Sequence, residues 1–166
     1  TIPKGIDPAA ALSVFGITGL TAYYGMKILA DPKPGQIVLV SGAAGATGSI
    51  AAQIARIQGA TVIGIAGSDE KCDWLCNKAK IQHTVNYRTN DLHDTLNKLA
   101  PKGLHHYFDN VGGEMLNTTL NHLAIGAKVL ICGAISTYAG EQEPTLNNYM
   151  QLIMRRATMQ GFLVSD

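Results

Sequence analysis

The chain has 166 residues, of which 46% are hydrophobic and 15% charged, and its net charge is +1. This composition is typical of a globular domain with its own core and argues against disorder. The near-neutral charge provides no basic surface for nucleic acid or an anionic membrane, and no apolar run is long enough to cross a bilayer. The sequence therefore predicts no nucleic-acid partner and no membrane partner.

Helical and extended patterns alternate along the chain. Asp7 and Pro8 mark a helix start, and helical segments are expected at 9–15 and 18–30, the second packing on a sheet through Leu20, Tyr23, Tyr24 and Ile28. Strands are predicted at 37–40, 61–66, 82–85, 105–109, 128–132 and 158–164. Further helices are predicted from residue 46 to about 57 and at 69–79, 91–99, 114–123 and 146–153, with a polar loop at 135–145.

This alternation of strands and helices predicts an α/β fold in which right-handed crossovers build one doubly wound, parallel, six-stranded sheet. In such folds ligands bind at the carboxyl ends of the strands. The functional residues are therefore expected in the turns that follow the strands.

The turn after the first strand matches a dinucleotide-binding fingerprint. Residues 43–48 fit the pattern Gly-x-Gly-x-x-Gly except that Ala43 takes the place of the first glycine. The helix that follows carries Ile50, Ile54 and Ile57 on one face. Small residues at a helix start let backbone N–H groups approach a pyrophosphate, so we expect one at Gly45, Ala46, Thr47 and Gly48. The alternative is a glycine-rich turn that binds nothing.

The end of the second strand indicates which nucleotide binds. An acidic residue here would accept hydrogen bonds from a ribose 2′-OH and repel a 2′-phosphate, but the residues at 66–68 are small and neutral. Lys71 lies one turn into the next helix, where it can reach a phosphate. Asp69 and Glu70 oppose this reading, although acids in a first helical turn also have an ordinary dipole role. The pattern favours NADP(H) over NAD(H); the alternative for Lys71 is a solvated lysine.

The cysteines and histidines predict no metal site. Three cysteines are an odd number, which is typical of a reducing compartment and indicates a cytoplasmic location. Neither they nor the five histidines have partners at the spacing of metal ligands.

Several motifs together resemble a known family. Residues 43–49, 67–71, 86–87, 107–113 and 132–138 are similar to the zinc-independent medium-chain dehydrogenase/reductases, in the branch of the prostaglandin reductases (leukotriene B4 12-hydroxydehydrogenases) and the alkenal and curcumin reductases. The resemblance covers nearly the whole chain. It implies that residues 1–166 are an NADP-binding Rossmann domain of a longer protein, whose N-terminal GroES-like domain is absent here.

The resemblance also implies roles for individual residues. Lys71 and Tyr87 would hold the adenosine 2′-phosphate of NADPH, with Ser68 beside them, and Asn110 would lie near the adenosine ribose. Tyr138 matches a tyrosine that contacts the nicotinamide ribose and the carbonyl side of the substrate. The remaining cofactor contacts would come from Cys132, Gly133, Ala134, Ile135, Ser136 and Thr137, and from Phe162, Leu163 and Val164 beside the nicotinamide.

The reaction implied by the resemblance is reduction of the carbon–carbon double bond of an α,β-unsaturated aldehyde or ketone, a small-molecule enone. The Tyr138 hydroxyl would stabilise the enolate oxygen. Reduction of quinones and a nucleotide-binding module without chemistry are the alternatives. The isolated domain is expected to bind NADP(H) with little or no turnover, and the strand at 158–164 to pair with a second copy in a homodimer.

Overall fold

The computed structural model describes residues 4–138 and 146–165, and within them six strands form one sheet. The strands are β1 (Ile37–Val40), β2 (Thr61–Ala66), β3 (His83–Asn86), β4 (Leu104–Asp109), β5 (Leu123–Ile131) and β6 (Thr158–Gly161). Their order is β3-β2-β1-β4-β5-β6, and every neighbouring pair is parallel. The chain therefore winds outward from β1 in one direction and then in the other, which confirms the predicted doubly wound α/β fold.

Helices cover both faces of this sheet. They are α1 (Pro8–Leu12), α2 (Ile17–Tyr23), α3 (Ala46–Ile57), α4 (Asp69–Asn77), α5 (Leu92–Leu99), α6 (Gly113–Leu120) and α7 (Met150–Arg155), with a π-helical segment at Tyr24–Ala30 and a 3₁₀ turn at Ile135–Thr137. Val38 and Val40 face the core beneath α2, α3 and α4, whereas Leu39 faces the core beneath α5 and α6. Burial on both faces explains the unbroken apolar run of β1.

Side-chain caps fix the starts of three helices. The Asp7 carboxylate accepts a hydrogen bond from the N–H of Ala10 at 3.0 Å, and the Ser68 hydroxyl accepts one from the N–H of Lys71 at 3.3 Å. The carboxylate of Asp91 accepts one from the N–H of Asp94 at 2.8 Å. Asp91 is therefore the N-cap of α5 and not its first helical residue.

The inward faces of the helices differ from the prediction. Four large residues expected against the sheet are exposed, namely Leu20, Tyr23, Tyr24 and Ile28. The buried residues are Met26 and three small ones, Gly19, Ala22 and Gly25. The helix lies so close to the sheet that a Cβ on Gly25 would come within 2.6 Å of the rings of Phe108 and Phe162. In α3, Ile50 and Ile54 are partly buried against the core, but Ile57 is exposed and the fully buried residues are Gly48, Ala51, Ala52 and Ala55.

Several element boundaries also differ. β5 begins at Leu123 and not at residue 128, because its first part pairs with Leu104 before a register shift, and Gly126 lies there with a φ of 75°. The preceding helix consequently ends at Leu120. The last strand ends at Gly161, and α7 spans Met150–Arg155. Of the predicted polar loop at 135–145, residues 139–145 lie outside the described residues. In the part of the chain that is described, no helix combines the length and hydrophobicity of a membrane span.

Candidate cofactor-binding site

An open crevice of about 430 Å³ lies at the carboxyl ends of β1, β2, β4 and β5. The chain changes winding direction between β1 and β4, so this is the switch point at which doubly wound sheets bind ligands. The crevice is lined by three loops and by the start of α4: Gly42, Ala44, Gly45, Ala46, Thr47, Gly48, Ala66, Gly67, Lys71, Asn110, Val111, Cys132, Gly133, Ile135 and Tyr138.

The glycine turn forms the central wall of the crevice. Gly45 is the N-cap of α3, and the first-turn N–H groups of Ala46, Thr47 and Gly48 have no acceptor within the helix. A Cβ on Gly48 would lie 2.3 Å from the carbonyl oxygen of Gly42, so the turn can close on the helix only with glycine there. The unpaired N–H groups and the helix dipole make this wall suited to an anion such as a pyrophosphate.

The geometry explains why Ala43 can stand at the first glycine of the fingerprint. Its side chain is fully buried, and a Cβ on Gly64 of β2 would lie 3.1 Å from the Ala43 methyl group. The methyl group therefore packs on β2 and does not enter the crevice. Gly42, with a φ of 57°, provides the left-handed backbone that the tight turn needs.

Lys71 lies at the β2 end of the crevice. It lines the crevice together with Ala66 and Gly67, and it belongs to no ion pair among the described residues. The carboxylate of Asp69 accepts a hydrogen bond of 2.7 Å from the amide of Asn86. Asp69, two residues before Lys71, is thus engaged by another side chain, and because Lys71 itself forms no ion pair among the described residues, its ammonium group is available to a bound anion.

Tyr87 and Ser68 flank this end without lining it. The Tyr87 ring packs over Gly67, where an added Cβ would lie 3.2 Å from ring atom Cε1. The Ser68 hydroxyl is the N-cap of α4 and accepts the N–H of Lys71. Their contacts with a cofactor stay predictions.

Tyr138 lies at the β5 end of the crevice. Its side chain is 72% exposed, and its hydroxyl accepts a long hydrogen bond of 3.4 Å from the N–H of Ala134. The adjacent Cys132 also lines the crevice. Burial, together with the charge of Asp109, raises the pKa of the Cys132 thiol to about 11, so this thiol is protonated at neutral pH and is a poor nucleophile.

The other predicted residues at this end shape the loop or lie apart from it. The Ser136 hydroxyl donates to the carbonyl of Val111 at 2.6 Å, and the Thr137 hydroxyl donates to that of Ala134 at 2.8 Å. Phe162 packs against Tyr24 and Phe108, with ring centroids 6.0 Å apart in both pairs. Phe162, Leu163 and Val164 do not line the crevice, and their predicted place beside the nicotinamide stays a prediction.

Sequence reasoning did not select several residues that line or support the crevice. Gly42, Ala44, Gly67 and Val111 line it, and Ser41 and Asp109 lie beneath it. The position of Ser41 and Asp109 in the sequence could have indicated them, because both are polar residues at the ends of buried strands. Asn110 was predicted, and its amide donates to the carbonyl of Ser41 at 2.7 Å.

The histidines pair with neighbours in the fold. His105 Nδ1 accepts the N–H of Ile37 at 3.1 Å, and the rings of His93 and His122 approach within 2.9 Å between nitrogen atoms. Among residues 4–138 and 146–165, no three histidine, cysteine or acidic side chains come together in a way that could hold a metal ion.

Comparison with known proteins shows which family and which relatives this chain is similar to. Residues 46–166 match the family described as zinc-binding dehydrogenase. The chain is 40% identical over 164 residues to the NADP(+)-dependent 2-alkenal reductase of Nicotiana tabacum, covering 98% of this chain and 48% of that protein. It is 41% identical over 163 residues to prostaglandin reductase 1 of Oryctolagus cuniculus, covering 97% and 46%.

A solved structure agrees with the fold throughout. The structure of CurA from Vibrio vulnificus in complex with NADPH superposes with a TM-score of 0.88 at 36% identity, covering 96% of this chain and 49% of that one. The chain thus spans about half the length of the relatives that it matches.

Proposed function

The chain belongs to the zinc-binding dehydrogenase family, and on that premise we propose that it is the NADPH-binding part of an oxidoreductase that reduces the carbon–carbon double bond of α,β-unsaturated aldehydes and ketones. The observation that carries the proposal is the crevice itself. One surface brings together the glycine turn, the Lys71 side chain and the Tyr138 hydroxyl. Relatives that the chain matches along nearly its whole length are named 2-alkenal reductase and prostaglandin reductase, which supports this substrate class.

The residues present fit NADPH. The backbone of the turn occupies the space that a Cβ on Gly48 would fill, so this position at the helix start carries no side chain. A pyrophosphate would therefore meet the backbone N–H groups directly. Lys71 supplies a positive charge for the 2′-phosphate, and Asn110 lines the crevice between the two ends. The family description implies zinc, but the described residues contain no group suited to that metal, and no step is assigned to it.

Tyr138 is the proposed catalytic residue. When bound, NADPH would supply the hydride, and negative charge would develop on the carbonyl oxygen of the substrate. A tyrosine hydroxyl stays protonated at neutral pH and can donate a hydrogen bond to that oxygen as the charge grows. The exposure of Tyr138 at the edge of the crevice supports this role, because a substrate can reach it from solvent.

The proposal extends to domain organisation and assembly. Residues 1–166 would be one cofactor-binding domain, and the other half of a longer protein would close the substrate site; the half-length coverage of relatives supports this. We also propose a homodimer in which β6 pairs with its copy, because β6 lies at the sheet edge and is largely exposed. The free cysteines Cys72, Cys76 and Cys132 support a cytoplasmic location.

Two measurements test the proposed function. Fluorescence titration of the chain with NADPH and NADH tests the cofactor, and tighter binding of NADPH is expected. Assay of the longer parent protein with 2-alkenals, 15-oxo-prostaglandins and quinones tests the reaction, with NADPH oxidation expected for the enones. Equal affinity for the two nucleotides would refute the role of Lys71, and oxidation with quinones alone would establish the alternative reaction.

A further inference from the structure

A buried carboxylate lies beneath the crevice at the end of β4. Asp109 is fully buried, and no lysine or arginine among the described residues forms an ion pair with it. Its carboxylate instead accepts hydrogen bonds from two hydroxyl groups, those of Ser41 at 2.8 Å and Tyr107 at 2.7 Å, and from two backbone N–H groups, those of Val111 at 2.9 Å and Gly112 at 3.0 Å. A buried charge is costly unless it is held in this way, so its presence calls for a reason beyond packing.

The hydrogen bonds of Asp109 join the three loops that line the crevice. Through the Ser41 hydroxyl, which also accepts the N–H of Asn110 at 2.9 Å, the carboxylate ties the start of the glycine turn to the loop after β4. Its bonds to Val111 and Gly112 fix the path of that second loop. The backbone carbonyl of Asp109 accepts the N–H groups of Cys132 at 2.8 Å and Gly133 at 3.1 Å, where the third loop begins.

Two neighbours of the Asp109 carboxyl group keep their protons. Burial and then the Asp109 charge raise the pKa of Tyr107 well above its ordinary value, and the same two causes act on Cys132. Both neighbours therefore stay neutral, and the phenol keeps its proton to donate. A buried carboxyl group that accepts four hydrogen bonds is a rigid junction, because each donor would lose its buried partner by moving.

We propose that Asp109 is a positioning residue of the cofactor site, holding the glycine turn and the loops after β4 and β5 at the separation that a dinucleotide requires. The inference rests on the proposed NADPH-binding function and deepens it. Asp109 touches no part of the crevice surface and acts through Ser41, Asn110 and the backbone of the loops. Its removal should therefore misplace the loops relative to one another without removing any group that contacts the cofactor.

The test compares a long and a short ligand in three variants. Asp109→Asn and Ser41→Ala disturb the junction between the loops, whereas Tyr107→Phe removes a donor to the same carboxylate whose hydrogen bond to Asp109 lies within β4. Affinities for NADPH and for 2′,5′-ADP are measured by titration, and thermal unfolding is followed for each variant. The short ligand reaches from the Lys71 end only as far as the glycine turn and Asn110 and does not extend to the loop after β5, so it depends less on the separation of the loops.

The expected result is selective. Asp109→Asn and Ser41→Ala weaken NADPH binding by about tenfold, the effect of losing one hydrogen bond to a charged group, while 2′,5′-ADP binding changes by less than about threefold. Tyr107→Phe lowers the unfolding temperature but changes NADPH affinity by less than about twofold. Equal losses for both ligands, or a Tyr107→Phe effect on NADPH as large as that of Ser41→Ala, would show a merely structural role. If Asp109→Asn does not fold, Ser41→Ala alone tests the proposal. If the unaltered chain does not bind NADPH, both the proposed function and the proposed role of Asp109 are overturned.

Discussion

Replacing Gly48 by alanine should destabilise the fold and weaken cofactor binding, although alanine is the better helix former. Helix propensity alone would make this substitution in α3 stabilising by up to about 1 kcal/mol. The structure predicts the opposite sign. The added Cβ would lie 2.3 Å from the carbonyl oxygen of Gly42, 2.9 Å from its carbonyl carbon and 3.0 Å from the Cα of Ala43. All three atoms are backbone and cannot rotate away.

The magnitude follows from the movement that the clash requires. Real Cβ atoms essentially never approach closer than 3.0 Å, so the Gly42 carbonyl and the helix start must separate by at least about 0.7 Å. Overpacking of this kind costs about 1–3 kcal/mol. For a chain of this length each kcal/mol lowers the unfolding temperature by about 2–4 °C, so we expect a decrease of roughly 2–12 °C. The same separation opens the turn that would receive the pyrophosphate.

Thermal unfolding and NADPH titration of Gly48→Ala measure both effects, and Gly45→Ala is the matched comparison. A Cβ on Gly45 would meet the same Gly42 oxygen at 3.1 Å, a contact that a shift of a few tenths of an ångström relieves. We therefore expect the loss of stability and of affinity to be clearly larger for Gly48→Ala. An unfolding temperature of Gly48→Ala at or above that of the unaltered chain would refute the steric reasoning, because propensity would then dominate.

Three further predictions concern charge and chemistry. Lys71→Ala should reduce the preference for NADPH over NADH by about tenfold, as expected for a lost charge-assisted contact with a phosphate. The control is Lys78→Ala, which alters an exposed lysine at the end of the same helix and should leave the ratio of the two dissociation constants unchanged. Tyr138→Phe in the proposed longer parent protein should lower kcat by about 10- to 100-fold at an unchanged NADPH affinity, because in the proposed mechanism the hydroxyl acts on the developing enolate; an unchanged rate would remove Tyr138 from the mechanism. Burial, followed by the charge of Lys128, lowers the pKa of His106 from 6.5 to about 4. The folded state therefore binds this proton less readily than the unfolded state, so stability is retained above pH 6.5 and falls by up to roughly 3 kcal/mol as the pH approaches 4. Urea unfolding across this range measures the slope, which His106→Gln should flatten.

The strands nearest the site could be predicted because their signals are local. β1 and β2 lie where the sequence indicated, since each is an apolar run that small or glycine-rich residues follow, and burial on both faces admits little else. The caps of α1 and α4 are equally local, because a side chain and an N–H group three residues apart make the bond. The position of the crevice then followed from topology alone.

The inward faces of the helices could not be predicted from hydrophobicity. A large apolar residue is usually assigned to the core, yet α2 and α3 approach the sheet and each other through glycine and alanine. Close approach excludes large side chains from the contact, as the 2.6 Å distance from a Cβ on Gly25 to the Phe108 ring shows. For the segment at 18–30 the periodicity gave a helix with the wrong face, because it records size and hydrophobicity but not the distance between elements.

The junction at Asp109 lay beyond sequence reasoning for a different reason. Its bond to Ser41 joins residues 68 positions apart, and only the pairing of β1 with β4 brings them together. Asp109 lies within the motif at 107–113 and Ser41 directly follows the predicted strand at 37–40, but the sequence gave no sign that one supports the other. Polar residues that end adjacent buried strands are the general pattern that could reveal such a junction once the strand order is known.

The strand order also separates the two ends of the proposed site. Lys71 follows β2 and Tyr138 follows β5, with β1 and β4 between them. Neighbouring strands lie about 4.8 Å apart, so the two residues are separated by roughly 14 Å across three spacings. A mononucleotide cannot contact both residues at once, whereas an extended dinucleotide can. At this distance substitutions act independently, so Lys71→Ala and Tyr138→Phe should combine additively in the free energy derived from kcat/KM of the full-length enzyme. A clear departure from additivity would mean that the two ends do not hold opposite ends of one cofactor.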